Sequence, residues 1–89
     1  FSGARFSDAD LRDASLVSTN MSSCRFEPGC RFTGARLESG ELSGAVFAGV
    51  DLRGASLRGS NLRTASLRGA LIEGCELTGA DLGGACLGD

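Results

Sequence analysis

The chain contains no His, no Lys, no Trp and no Tyr, and only one Pro. Each absence removes a class of chemistry. Without an imidazole there is no Ser-His-Asp triad, no Cys-His pair and no His metal ligand. Without an ε-amine there is neither a Schiff-base nucleophile nor a phosphate-loop lysine. All nine basic residues are Arg, and against eleven acidic residues they leave a net charge of −2. That balance is too even for a domain that grips nucleic acid through its phosphates. No apolar run approaches the ~20 residues of a membrane-spanning helix. A basic start followed by an apolar stretch is also missing, so a cytoplasmic setting is expected. The expectation is therefore of a protein without a nucleic-acid or membrane partner.

What is abundant is small. Fourteen of the 89 residues are Gly and four are Cys. The cysteines stand at 24, 30, 75 and 86, with no C-x-x-C pair among them. That spacing does not make a zinc site. No cofactor or metal is expected. The length allows one small domain. Phe1 is not an initiator Met, and the last residues still follow the pattern described next, so the chain reads as part of something longer.

The pattern is a five-residue step. Large apolar residues fall at Phe1, Phe6, Leu11, Leu16, Met21 and Phe26, then at Phe32, Leu37, Leu42, Phe47, Leu52 and Leu57. They continue through Leu62, Leu67, Ile72, Leu77, Leu82 and Leu87. The step is six only between Phe26 and Phe32, across Glu27-Pro28-Gly29. Two residues before each lies a small residue, such as Ala9, Cys24, Cys30, Ala55, Ser60 or Cys75. Two residues after, Gly dominates, at positions 3, 34, 44, 49, 54, 59, 69, 74, 79 and 84.

A period of five fits neither regular element. On an α-helix it smears the leucines around the surface, since five residues advance about 140°. On a straight strand an odd step sends alternate leucines to opposite faces. A bend in every repeat removes the conflict, and Gly tolerates the left-handed dihedrals such a bend uses. A chain that always turns the same way becomes a solenoid of stacked coils.

Units such as Ala9-Asp10-Leu11-Arg12-Asp13, Ser60-Asn61-Leu62-Arg63-Thr64 and Ala80-Asp81-Leu82-Gly83-Gly84 resemble the A-[D/N]-L-x-x repeats of the pentapeptide-repeat family. The resemblance covers essentially the whole chain. It implies an all-β fold, a right-handed quadrilateral parallel β-helix with four repeats per coil and about four and a half coils. At ~4.8 Å per coil that is a rod about 20 Å long.

With four sides, residues about twenty apart stack. One ladder is Phe6, Phe26, Phe47, Leu67 and Leu87, and a second is Phe1, Met21, Leu42, Leu62 and Leu82. The third is Leu11, Phe32, Leu52 and Ile72, and the fourth is Leu16, Leu37, Leu57 and Leu77. The structural core is expected at Phe6, Phe26, Phe32, Phe47, Leu52, Leu57, Leu62 and Leu67. One domain spans 1–89, with a one-residue corner insertion at 27–31. Glu27, Pro28 and Gly29 form a candidate loop contact, because Pro-Gly is a turn signal.

Outward positions flank each central residue. Asn20, Glu41, Asn61 and Asp81 line one side and form a candidate partner-binding face. A column of carboxylates and amides could meet a basic partner, although Asp and Asn also bond readily to neighbouring backbone. Arg53, Arg58, Arg63 and Arg68 follow four consecutive leucines and so ring one coil, one Arg on each side. A nucleic-acid groove wants its charge on one face. Stacking puts Glu38 beside Arg58 and Glu73 beside Arg53, while Asp10, Arg31 and Asp51 alternate in one column.

No catalytic constellation survives, so a non-enzyme is expected. The first reading is a scaffold or protein-interaction domain. The alternative rests on the resemblance: some family members imitate duplex DNA, bind DNA gyrase or topoisomerase IV, and confer resistance to quinolones or to a producer's own antibiotic. The partner is then a type II topoisomerase. Open solenoid ends expose apolar surface and unpaired strand edges, which an end-to-end homodimer would cover.

Overall fold

Every fifth residue has to face inward, and the chain meets that demand by turning a corner after each one. In the computed structural model, which describes residues 2–88, the central carbonyl accepts a bond from the amide three residues on. Ala14 donates to Leu11 (3.1 Å), Ala55 to Leu52 (3.0 Å) and Ala70 to Leu67 (3.1 Å). Such a bond closes a β-turn, and a positive φ at the third turn residue alone marks type II. The ten glycines two places after a central residue all have φ between 67° and 76°. Asp8, Asp13, Ser18, Ser23, Ser39 and Thr64 adopt the same conformation at φ 52–59°.

Between corners the backbone is extended and pairs in parallel with the coils on either side. β1 (Arg5–Phe6) pairs with β2 (Arg25–Phe26). Elsewhere the pairing is one residue per side, since a corner interrupts every five residues. The pairs form four columns. One is Arg5, Arg25, Val46, Ser66 and Cys86, and the next is Asp10, Arg31, Asp51 and Leu71. The others are Ser15, Arg36, Ser56 and Glu76, then Asn20, Glu41, Asn61 and Asp81. The register is twenty residues, or twenty-one where the coil passes Glu27. The molecule is therefore a four-sided parallel β-helix.

The six-residue step is absorbed locally. The Glu27 amide donates to the Phe6 carbonyl (3.0 Å), so this residue extends a side. Pro28 and Gly29 then occupy the centre of a turn closed by Cys30 N–H on the Glu27 carbonyl (2.9 Å). Pro suits the second position of such a turn. The corner keeps two central residues, and Cys30 regains the small inner position, 1 % exposed.

Phe26, Phe32, Phe47, Leu52, Leu57, Leu62 and Leu67 are all buried. Phe6, in the first coil, is only partly covered. Phe1 lies outside the described residues. Phe6, Phe26 and Phe47 stack on one side with centroids 5.0 and 4.9 Å apart. Phe32 meets Phe26 edge-on at 4.9 Å. Each buried ring contributes about 1.5–3 kcal/mol, and each ring pair about 0.5–1.5 kcal/mol more. Ser60 replaces Ala in the inner column without cost to satisfaction, because its hydroxyl donates to the Leu57 carbonyl (2.7 Å). The extents are 27 × 26 × 25 Å. The molecule is as wide as it is tall, a block and not the rod expected from stacking distance alone.

Candidate interaction surface

Outward side chains on this fold sit on short flat sides, and their first partners are local. Asn20, Glu41, Asn61 and Asp81 do stack in one column. Each also accepts a bond from the amide two residues on. The donors are Ser22 (3.1 Å), Ser43 (3.4 Å), Arg63 (3.0 Å) and Gly83 (3.0 Å). Asn61 Nδ2 donates to both Glu41 carboxylate oxygens, at 3.0 and 3.2 Å. Arg63 Nη1 lies 3.4 Å from Asp81 Oδ2. Bonds from Ser43 and Asn61 hold the Glu41 carboxyl below its usual range. The Gly83 amide, then Arg63, do the same for Asp81. This side carries two fixed negative charges on alternate levels with an Arg between them.

The opposite side is clamped more tightly. Arg12 Nε and Nη2 donate to the two oxygens of Asp10 at 2.8 and 2.7 Å. Arg53 grips Asp51 in the same way at 2.9 and 2.8 Å. These guanidinium bonds, with the backbone amide of the same Arg, lower both carboxyls to about 2. Asp10, Arg31 and Asp51 form the alternating column expected of them.

Ion pairing differs from the pattern read off the stacking. Glu38 pairs with Arg36 (3.7 Å), not with Arg58, and Arg53 pairs with Asp51, not with Glu73. The residues on either side of a central leucine both point outward from one flat side. Glu38 and Arg53 therefore meet a partner two residues away before one in the next coil, whereas Arg63, two residues from the uncharged Asn61, reaches Asp81 in the next coil. Arg58 and Arg68 form no ion pair among the described residues, and the Arg ring presents one guanidinium per side. Such exposed pairs contribute typically under ~1 kcal/mol each.

At the inserted residue, Glu27 is partly buried and lies 3.3 Å from Arg5 Nε, while Pro28 and Gly29 are exposed. Cys24 and Cys30 fill the small inner column, Cys75 is half-buried there, and Cys86 points outward. The thiols of Cys30, Cys75 and Cys86 form no disulfide. Burial pushes the Cys75 thiol up. Among the described residues there is no concave pocket and no cluster of three potential metal ligands.

The sequence did not single out the corner carboxylates. Asp8 and Asp13 lie over Gly29 and Gly34 of the next coil, in the space a Cβ would fill. Their place in the five-residue frame is the only signal that could have found them.

Two family models described as pentapeptide repeats match this chain, one over residues 30–69 and 65–89 and one over residues 1–46. The chain belongs to the pentapeptide-repeat family. Its members form right-handed quadrilateral β-helices, the architecture described above. A trypsin-treated form of QnrB1, a plasmid-mediated fluoroquinolone resistance protein, is similar at 22% identity and TM-score 0.72, over 92% of this chain and 38% of that one. Full-length QnrB1 is 23% identical at TM-score 0.72, over 96% of this chain and 52% of its own. HetL, a pentapeptide-repeat protein involved in heterocyst differentiation regulation in the cyanobacterium Nostoc sp. strain PCC 7120, is 29% identical at TM-score 0.48, over 100% of this chain and 45% of its own. The chain thus spans about half the length of these proteins or less. No curated protein matches it.

Proposed function

We propose that this chain is a non-enzymatic scaffold that binds a protein partner through its flat sides. The observation that carries this reading is the local closure of the outward polar groups. Asn20, Glu41, Asn61, Asp81, Asp10 and Asp51 all accept bonds from the amide two residues on, so these two opposite sides are held as rigid, pre-ordered surfaces. A surface already ordered loses little side-chain freedom on binding. The proposed setting is the cytoplasm, where free thiols such as Cys86 remain reduced.

A second reading is a DNA mimic that binds DNA gyrase or topoisomerase IV and confers quinolone or antibiotic self-resistance. Glu41 and Asp81, both held ionised on one side, favour it. Duplex DNA, however, carries a charge every ~1.7 Å of its axis. Here two carboxylates lie about two coils apart, roughly 10 Å by the ~4.8 Å coil spacing, and Arg63 neutralises one. The scaffold reading therefore stands first. Gyrase supercoiling, with and without a quinolone, separates the two. The scaffold reading expects no change at micromolar protein. Inhibition, or protection against the drug, would establish the mimic instead.

A further inference from the structure

We infer that the partner docks on the side that carries Arg25, Val46 and Ser66, and that it presents a protein surface with an apolar centre flanked by carboxylates. The inference rests on the scaffold reading and names the side and the chemistry that meets it.

This side lies between the two clamped ones, and its column is Arg5, Arg25, Val46, Ser66 and Cys86. Its middle is closed by the coils above and below. Phe26 donates to Val46 (2.9 Å) and Phe47 to Ser66 (2.7 Å), while Val46 and Ser66 donate back to Cys24 (2.8 Å) and Ala45 (2.9 Å). With those amides taken, a partner cannot add a strand here and has to be recognised by side chains.

The centre of the side is small and uncharged. Val46 and Ala48 point outward and are half-buried. At the adjoining corner a Cβ on Gly49 would meet the Pro28 ring at 3.4 Å, and Gly69 stacks on Gly49 in turn. The same coil carries charge on its other three sides, at Asp51 and Arg53, at Arg58, and at Glu41.

Arginines without an acid stand on either side of this gap. Arg25 has Glu27 two residues on, but Glu27 lies 3.3 Å from Arg5. The column neighbours of Arg25 are Arg5 and Val46. Like charges directly opposite one another are destabilising. Arg68 has Ser66 two residues back, and the same register sets it between Ala48 and Gly88. Neither Arg25 nor Arg68 forms an ion pair among the described residues. Arg31 and Arg58 also form none, but Arg31 stands between Asp10 and Asp51, and Arg58 is in register with Glu38. Asp8, at the corner of this side, lies over Gly29.

The side therefore holds positive charge that the fold does not neutralise, around a patch with little polar surface to desolvate. Arg25 and Arg68 are two coils apart, roughly 10 Å along the axis at ~4.8 Å per coil. Carboxylates on either side of an apolar centre match both features, the charges orienting the partner and the patch packing against it.

Three synthetic peptides of one length test this, each with the same apolar centre flanked by glutamates, glutamines or lysines. They are titrated into the isotope-labelled chain at low ionic strength, and amide chemical shifts are followed. The glutamate peptide should move the amides of Arg25, Val46, Ala48 and Arg68. Arg68→Glu should weaken it about tenfold, whereas Arg58→Glu, the same change on the opposite side, should alter it less than about twofold. Circular dichroism checks that both variants fold. Equal losses mean that binding follows net charge, and overturn the inference. Shifts confined to another side, with any of the peptides, overturn it and leave the scaffold reading standing. No shift with any peptide overturns both. A short DNA duplex that moves the same amides at lower concentration means a nucleic-acid partner, and also overturns the inference. Arg25→Gln should weaken the glutamate peptide yet raise the melting temperature, because it relieves the charge facing Arg5. A lower melting temperature means that Arg25 serves the fold, and contradicts the proposal.

Discussion

The first and third coils trace the same path with different residues. In the first, three of the four left-handed corners carry side chains, Asp8, Asp13 and Ser18 beside Gly3; in the third all four are glycine, Gly44, Gly49, Gly54 and Gly59. The aromatic stack belongs to the lower coils through Phe6, Phe26, Phe32 and Phe47, whereas aliphatic side chains such as Leu52, Leu57 and Leu62 fill the core above. A residue with a Cβ is held left-handed at a cost of roughly 1–2 kcal/mol. Glycine avoids that strain but gives up more freedom on folding. The place in the frame imposes the corner, and the residue only adjusts what it costs. It also shows a dependence between coils. The Asp8 and Asp13 carboxylates lie where a Cβ on Gly29 or Gly34 would be, so these carboxylate corners need bare ones above them.

The largest effect should separate the aromatic region from the aliphatic ends. Phe26 touches Phe6, Phe32 and Phe47, so Phe26→Ala should cost about 3–5 kcal/mol. Leu82→Ala, at a partly covered position, should cost about 1–2 kcal/mol. Urea midpoints measure both, and equal losses would break the comparison. Next come the corners. Gly54→Ala meets only ordinary contact with Gly34 and should cost about 1–2 kcal/mol for its left-handed φ. Gly34→Ala should cost more, because its methyl collides with Asp13. Asp13→Gly should remove that excess, a non-additivity that a double-mutant cycle reads directly. Additive losses would show that the corners do not depend on one another.

Thr64 is the β-branched residue among the six side-chain-bearing corners, at φ 59°. Thr64→Gly should therefore stabilise by about 0.5–1 kcal/mol, seen as a higher melting temperature. The smallest effect is shared by both regions. Asp10 and Asp51 have folded pKa values of about 2, below the ordinary 3.8. A depressed folded pKa stabilises above the unfolded value, and that stabilisation is lost as pH falls from about 3.8 through 2. Asp51→Asn should flatten part of this slope in acid titrations followed by circular dichroism. A slope unaffected by the substitution would show that the Arg53 clamp does not persist in solution.

Much of this was legible in the sequence, for a physical reason. Burial is periodic, so Phe26, Phe47 and Leu62 declared themselves by spacing, and the ten left-handed glycines stood two places behind them. Thr64 carries no such mark, because a β-branched residue disfavours a left-handed backbone, and Asp13 carries only the weak one of a residue type that tolerates it. The candidate column of Asn20, Glu41, Asn61 and Asp81 was placed by register alone. Its bonding was harder to foresee: the reach of a side chain along its own side competes with its reach to the next coil. Glu38 shows which wins, pairing with Arg36.

Closed inner coils hold the sides rigid, and the first and last described coils are held less tightly. Residue-resolved amide exchange in dilute solution tests this most directly. The amides of Leu42, Phe47, Leu52 and Leu57, which donate to the coil above at 2.7–2.8 Å, should be the slowest to exchange. Those of Ile72, Leu77 and Leu82, with no acceptor among the described residues, should exchange fastest among the central positions. Uniform protection along the chain, or protection that ignores the five-residue frame, would contradict the account.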